Sequence, residues 1–156
     1  MIKIDTCLLN KTSELAMKSP RLRMNYNFHP THEEPLHRML NAMEPGTYIQ
    51  PHKHEDPDKF EIFLVLRGRF VAIIFDDDGN ITDHSILDAN EGKYGVEIPG
   101  KTFHTLLSLK TASVAYEVKA GPYFPSTAKN FAPWAPAEGE PGVALYIEKL
   151  LNAIGL

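Results

Sequence analysis

Three histidines and one glutamate carry the clearest chemistry in this sequence. His52 and His54 are separated by a single residue, so on a β-strand both side chains point to the same face. Glu61 opens an apolar, strand-like run and brings a carboxylate to the same volume if residues 55–60 form a turn. His104 is available as a fourth ligand farther along the chain. Three neutral imidazoles and a carboxylate suit a divalent transition metal, so the sequence predicts a metal site.

The predicted metal site would leave room for chemistry. Four protein ligands on a metal that takes five or six leave one or two positions for water or for a chelating substrate oxygen. A metal of this kind polarises a carbonyl, lowers the pKa of bound water or, as iron or manganese, handles oxygen. The ligand types leave the choice among zinc, iron, manganese and nickel open.

Short strands must position these side chains. Between residues 35 and 119, apolar strand-like runs alternate with turn residues and no helical pattern intervenes. Many short strands at regular spacing indicate a sandwich or a barrel. The predicted strands cover residues 36–43, 47–54, 61–68, 69–75, 81–87, 93–99, 103–109 and 111–119.

Two helices are predicted outside the strands. A short helix over Asn10–Ser19 is stopped by Pro20. Near the other end, five apolar residues fall on one helical face, namely Val143, Ile147, Leu150, Leu151 and Ile154. We expect one domain over residues 1–156, with an N-terminal flank (1–34), a barrel core (35–119) and a C-terminal wrap and helix (120–156).

The composition argues against some binding partners and indicates the cellular compartment. The chain has 156 residues, a net charge of −4 and scattered basic residues, which argues against nucleic acid. Cys7 is the only cysteine, so a reducing compartment is expected. No apolar run approaches the roughly 20 residues that span a bilayer, so no membrane association is expected. These features predict a cytoplasmic protein that binds a small molecule, with a homodimer left open.

Two stretches resemble the motifs of the cupins. Residues 46–68 match the first motif, in which a glycine precedes His-x-His and a glutamate precedes a second glycine, except that six residues separate the second histidine from the glutamate. The second motif, Pro-x-Gly-x-x-His, is matched at Pro99 and His104, with Gly100 one place early. The resemblance implies an all-β jelly-roll, or double-stranded β-helix, and the metal ligands His52, His54, Glu61 and His104.

The lengthened spacing offers an alternative acidic ligand. Asp58 lies at the shorter distance from the histidines that is usual in the cupin motif. Glu61 is preferred, because a strand and the closing Gly68 follow it at the expected spacing and do not follow Asp58 in that register.

A resemblance to the WbuC-type small cupins, often encoded with O-antigen polysaccharide genes, covers nearly the whole chain. It rests on the segments SPRLRMNYNFHP, PHKH, VLRGRF, FDDDGNI, EVKAGPYFP and WAP. It implies a single cupin barrel with a short N-terminal helix and a C-terminal helix, and the association with polysaccharide genes points to a sugar derivative as the ligand. The first hypothesis for function is a metal-dependent enzyme, such as an isomerase, epimerase or oxygenase, acting on a small polar substrate. A non-catalytic metal-containing sensing domain and a metal-free sugar epimerase remain alternatives.

The segment of residues 19–30 is rich in groups that bind anions. Guanidinium groups hold a carboxylate or phosphate bidentately, although arginines here could instead form only surface ion pairs. Two further polar residues share strand parity with the histidines. The predicted substrate-binding residues are Arg21, Arg23, Asn27, His29, Tyr48 and Gln50.

Overall fold

The computed structural model describes residues 1–124 and 129–156. Within those residues the protein is mostly β, with an α-helix on each side of the strands. The strands are β1 (Arg23–Asn27), β2 (Leu36–Met43), β3 (His52–Lys53), β4 (Glu61–Arg67), β5 (Phe70–Phe75), β6 (Ile81–Leu87), β7 (Gly95–Ile98), β8 (Phe103–Ser108), β9 (Ser113–Ala120) and β10 (Asn130–Phe131). The helices are α1 (Thr6–Lys18) and α2 (Val143–Ala153), and Ala89–Glu91 form a 3₁₀ turn.

The strands form two antiparallel sheets that face each other. In the first sheet the order is β1-β2-β9-β4-β7, and in the second it is β10-β3-β8-β5-β6. Alternate residues of both sheets point into the space between them, where burial of apolar surface stabilises the pair. This inner core contains Met43, Phe63, Val65, Phe70, Ala72, Leu87, Ile98, Leu106 and Ala115.

Each helix covers the outer face of one sheet. Helix α1 packs against β2 and β9 through a cluster that includes Leu40 and Val114. It begins four residues before the predicted start, because the Asp5 side chain accepts a hydrogen bond from the Leu8 N–H and caps the helix. Helix α2 packs on the second sheet, and Leu150 is the most buried of its residues. None of the helices in the described ranges is long and apolar enough to cross a membrane.

The first strand was not predicted from the sequence. The predicted strands begin at residue 36, but β1 already pairs along its whole length with β2. Its apolar residues, Met24 and Tyr26, point outward toward α1, and its polar residues point inward. This is the reverse of the usual pattern of a half-buried strand, which explains why the alternation was missed.

The strand predicted over residues 47–54 forms ladder bonds only at its end, as β3. Pro51 has no N–H to donate, and its carbonyl accepts a hydrogen bond from the Ala132 N–H in the C-terminal wrap. The wrap belongs to the segment predicted over residues 120–156, of which 125–128 lie outside the described residues. Trp134 anchors it by packing on the Phe75 ring, with the ring centroids 5.1 Å apart.

We expect the Leu150→Ala substitution to lower the free energy of unfolding by about 2–5 kcal/mol, because it opens a cavity between α2 and the second sheet. Leu145→Ala on the same helix is the matched control: its side chain is 71% exposed, against 4% for Leu150. The control should change stability by less than about 0.5 kcal/mol. Urea unfolding measures both, and equal values would mean that α2 does not pack in this way.

Candidate metal centre

The four predicted ligands converge from both sheets. His52 lies on β3 and pairs directly with His104 on β8, His54 follows β3, and Glu61 is the first residue of β4. All four side chains are buried. One potential ligand atom from each lies within 4.8 Å of those from the others. The fold therefore brings together, in the space between the sheets, residues that are up to 52 positions apart in sequence.

Backbone carbonyls fix the orientation of two imidazoles. His52 Nδ1 donates to the Gln50 carbonyl at 3.0 Å, and His104 Nδ1 donates to the Thr102 carbonyl at 2.9 Å. In a neutral ring each Nε2 is then a lone-pair acceptor. His104 Nε2 lies 3.0 Å from Glu61 Oε2, another acceptor, and His52 Nε2 is buried with no hydrogen-bond partner among the described residues. Converging acceptors without a donor between them fit a cation.

The surroundings set protonation states that suit metal ligands. Burial raises the pKa of Glu61, but the nearby Lys119 ammonium, together with the close approach of His104 and His54, outweighs it and holds that pKa well below its usual range. Burial also lowers the pKa of His52 well below its usual value. The site therefore offers a carboxylate and a neutral imidazole, the forms in which these side chains bind metals.

A buried chain of charges supports Glu61 from behind. Lys119 Nζ lies 3.1 Å from Glu61 Oε1 and 3.3 Å from Glu117 Oε1, and the Asn41 amide donates to the second oxygen of Glu117. Burial lowers the pKa of Lys119, but the two carboxylates outweigh it and raise the pKa above its usual value. Burial raises the pKa of Glu117. Lys119 and His54 thus share Glu61 Oε1, whereas Glu61 Oε2 is directed toward His104.

The long spacer between the histidines and Glu61 forms a turn at the surface. Asp58 in this turn is half exposed and pairs with Lys101 at 3.1 Å, outside the ligand cluster. Gly100 packs against the turn so closely that a Cβ there would lie 3.0 Å from the Asp58 Cβ.

Lys101 occupies the place of the glycine in the cupin motif and has the left-handed φ of 63° that favours glycine. Its N–H donates to the His54 carbonyl at 2.9 Å.

A cavity of about 670 Å³ opens onto the cluster. Three of the four cluster residues line it, as do the inner faces of β1 and β9. Of the six predicted substrate-binding residues, five line this cavity, namely Arg21, Arg23, Asn27, His29 and Gln50. Tyr48 is not among the lining residues; it is buried, and its hydroxyl donates to the Pro136 carbonyl at 2.9 Å.

The two arginines already have an anionic partner. Arg21 Nε and Nη2 donate to the two oxygens of Glu138 at 2.7 and 2.8 Å, and Arg23 Nη2 donates to the same carboxylate at 2.7 Å. Arg23 also donates to the Tyr48 carbonyl. The hydrogen bond from Arg21, opposed by partial burial and aided by Arg23, lowers the pKa of Glu138 to about 2. Both arginines therefore form an ion pair with Glu138 and also line the cavity, and the Arg23 side chain is only 10% exposed.

Two other predicted binding residues also have protein partners. His29 Nδ1 accepts a hydrogen bond from the Arg38 N–H at 3.2 Å, and its ring stacks on His37 with the centroids 4.1 Å apart. Gln50 donates to the Ala132 carbonyl at 3.1 Å. Sequence reasoning missed several residues that line the cavity, among them Asn25, Asn41, Glu117, Lys119 and Lys129. They belong to strand faces or loops whose inward direction no sequence pattern revealed.

The paired antiparallel sheets and the buried cluster of three histidines and a glutamate define a cupin barrel with a candidate metal centre, so the fold predicted from the sequence is confirmed. Residues 4–87 match a family described as a domain of unknown function, DUF6016, and the chain belongs to that family. No curated protein sequence matches it significantly.

Solved structures share this fold at low sequence identity. The capsular polysaccharide assembling protein CapF from Staphylococcus aureus is 22% identical, with a TM-score of 0.57 over 69% of this chain and 28% of CapF. Cellulomonas parahominis L-ribose isomerase, solved with L-psicose, is 15% identical, with a TM-score of 0.55 over 72% of this chain and 70% of the isomerase. This chain therefore spans under a third of the length of CapF.

We expect Lys119→Met to destabilise the metal-free protein by about 3–5 kcal/mol, because it leaves two buried carboxylates without their shared cation. Replacing Glu117 by Gln in the same variant should recover part of this loss, since only one uncompensated charge then remains. Urea unfolding in the presence of EDTA measures both effects. Lys110→Met, at an exposed lysine, is the control. A loss no larger than that of the control would show that the charge chain does not stabilise the fold.

Proposed function

We propose that this protein is a metal-dependent cupin enzyme that binds one divalent transition metal through His52, His54, Glu61 and His104 and acts on a small polar substrate. The observation that carries this proposal is the convergence of three imidazoles and a carboxylate, all buried, within 4.8 Å. Burying such a set without a cation would leave acceptor atoms unsatisfied, which is costly in a protein interior.

The position of the cluster supports a reactive role for the metal rather than a purely structural one. Structural metal sites are closed, whereas three members of this cluster line a cavity of about 670 Å³. A bound divalent metal supplies a Lewis acid that polarises a substrate oxygen. The protein contributes orientation: the Gln50 and Thr102 carbonyls hold two imidazoles, and Lys119 holds the carboxylate.

The cavity favours a substrate with hydroxyl groups and a negative charge. Amide side chains from β1 and β2 line one wall and offer both donors and acceptors, while basic side chains lie around the opening. A sugar derivative fits this chemistry. A role in polysaccharide biosynthesis is supported by the resemblance to WbuC-type cupins and by the description of CapF as a capsular polysaccharide assembling protein.

The proposal makes a direct statement about metal content. Protein purified without a histidine tag should contain one divalent metal per chain by elemental analysis. His104→Ala should lower that content at least about tenfold, because it removes one of four ligands, while β-rich circular dichroism persists. Asp58→Asn is the matched control and should retain the metal, since Asp58 pairs with Lys101 at the surface. A His104→Ala variant with full metal content would refute the ligand assignment.

Turnover separates an enzyme from a binding protein. The metal-loaded protein should convert at least one member of a panel of sugar nucleotides, sugar acids and keto acids, and His104→Ala should not. Binding of a panel member without conversion would instead support a metal-containing sensing domain. Conversion that survives both EDTA and His104→Ala would support a metal-free epimerase.

A further inference from the structure

Among the described residues, one basic side chain in the cavity lacks an anionic partner. Arg21 and Arg23 share Glu138, and Lys119 lies between two carboxylates. Lys129 also lines the cavity, yet its ammonium makes no hydrogen bond or ion pair with any residue in 1–124 or 129–156. A partly buried cation without a counter-ion is costly, so this position is suited to an anion that comes from outside the chain.

The local strand geometry directs Lys129 toward the metal cluster. Lys129 immediately precedes β10, in which Phe131 pairs with His52. Residues two apart on an extended chain share a face, and both Lys129 and Phe131 line the cavity. Asn130 lies between them and points the other way, with its side-chain oxygen accepting from the Glu55 N–H at 3.4 Å.

The electrostatics of Lys129 agree with a role in binding an anion. Burial lowers the pKa of Lys129 to about 8, and the nearby Lys119 ammonium adds to this effect. Glu61 and Glu117 act in the opposite direction, but Lys119 already neutralises them and they do not offset the loss of water around Lys129. A bound anion would restore the ordinary preference of this amine for its charged form.

We propose that Lys129 binds the carboxylate of a small hydroxylated carboxylic acid whose remaining oxygens face the metal cluster and β1. This proposal rests on the proposed function. A carboxylate is favoured over a phosphate because the guanidinium groups suited to bidentate phosphate binding are occupied by Glu138, which leaves a single ammonium as a point charge.

The wall formed by β1 is suited to the hydroxyl groups of this ligand. Within residues 1–124 and 129–156, the Asn25 amide hydrogen-bonds only to the sulfur of Met39, a weak acceptor, at 3.3 Å. Asn27 lies two residues farther along the same face and is exposed to the cavity. Each amide can donate to one hydroxyl and accept from another, so the wall recognises a polyol chain.

A matched pair of ligands tests the proposal. D-gluconate and D-sorbitol have the same carbon chain and differ in a carboxylate against a neutral hydroxymethyl group, and D-sorbitol 6-phosphate adds a phosphate. Calorimetric titration of the Co²⁺-loaded protein should show gluconate binding at least about tenfold more tightly than sorbitol, as expected for a charge-assisted pair. Lys129→Met should reduce this preference to less than about twofold, Lys129→Arg should retain most of it, and Lys110→Met should leave it unchanged.

Metal analysis before and after each titration keeps the two proposals distinguishable. A wild-type protein that binds no metal would refute the proposed function itself. A metal-loaded wild-type protein with no preference for gluconate, or a Lys129→Met variant that keeps both its metal and the preference, would overturn only the role of Lys129. Tighter binding of sorbitol 6-phosphate than of gluconate would overturn the choice of carboxylate.

Discussion

A carboxylate buried among nitrogen atoms is the constraint on which this structure depends. Glu61 lies in the interior, where an unpaired negative charge would be strongly unfavourable, so positive or polarised groups must surround it. Lys119 supplies a positive charge from β9, and the Nε2 atoms of His54 and His104 approach the two oxygens of Glu61 to 2.9 and 3.0 Å from the side of the opposite sheet, where a metal ion would complete the pairing. Because both carboxylate oxygens of Glu61 need partners, the strands of both sheets that carry those partners must lie close to Glu61. The geometry of the metal centre follows from this requirement.

The barrel interior is divided into an apolar half and a polar half. In the apolar half, Val65, Phe70 and Leu87 belong to the core between the sheets, and Phe63 and Leu106 lie where this core meets the cavity. In the polar half, the inward faces of β1 and β9 carry amides and charged groups. The fold tolerates polar side chains on these inward faces because α1 covers the outer face of the same sheet. Leu40 and Val114 therefore bury their apolar surface against α1, outside the barrel.

The four residues of the ligand cluster could be predicted from the sequence, but the buried charged residues that contact Glu61 from behind could not. His52 and His54 were recognisable because a period of two is a local property of a strand. Lys119 and Glu117 were not, because they alternate with apolar residues that look like the core face; only the position of α1, a tertiary fact, shows that those apolar residues point outward. Strand β1 was missed for the same reason, because its apolar residues also point outward toward α1. The pairing of Arg21 and Arg23 with Glu138 joins residues over 110 positions apart, which no local pattern encodes.

Because of that pairing, one wall of the cavity consists of residues from an early and a late segment of the chain. Arg21 and Arg23, just before and at the start of β1, supply the guanidinium groups, and Glu138 in the C-terminal wrap supplies the carboxylate that pairs with them. The rim of the cavity therefore joins an early and a late segment of the chain by ion pairs. A substitution at Glu138 would therefore change the positions of Arg21 and Arg23 at the cavity entrance, and a substitution at either arginine would change the position of Glu138. Residues at this rim are therefore expected to vary together among relatives, and two separately expressed halves of the chain would form a complete entrance only after they associate.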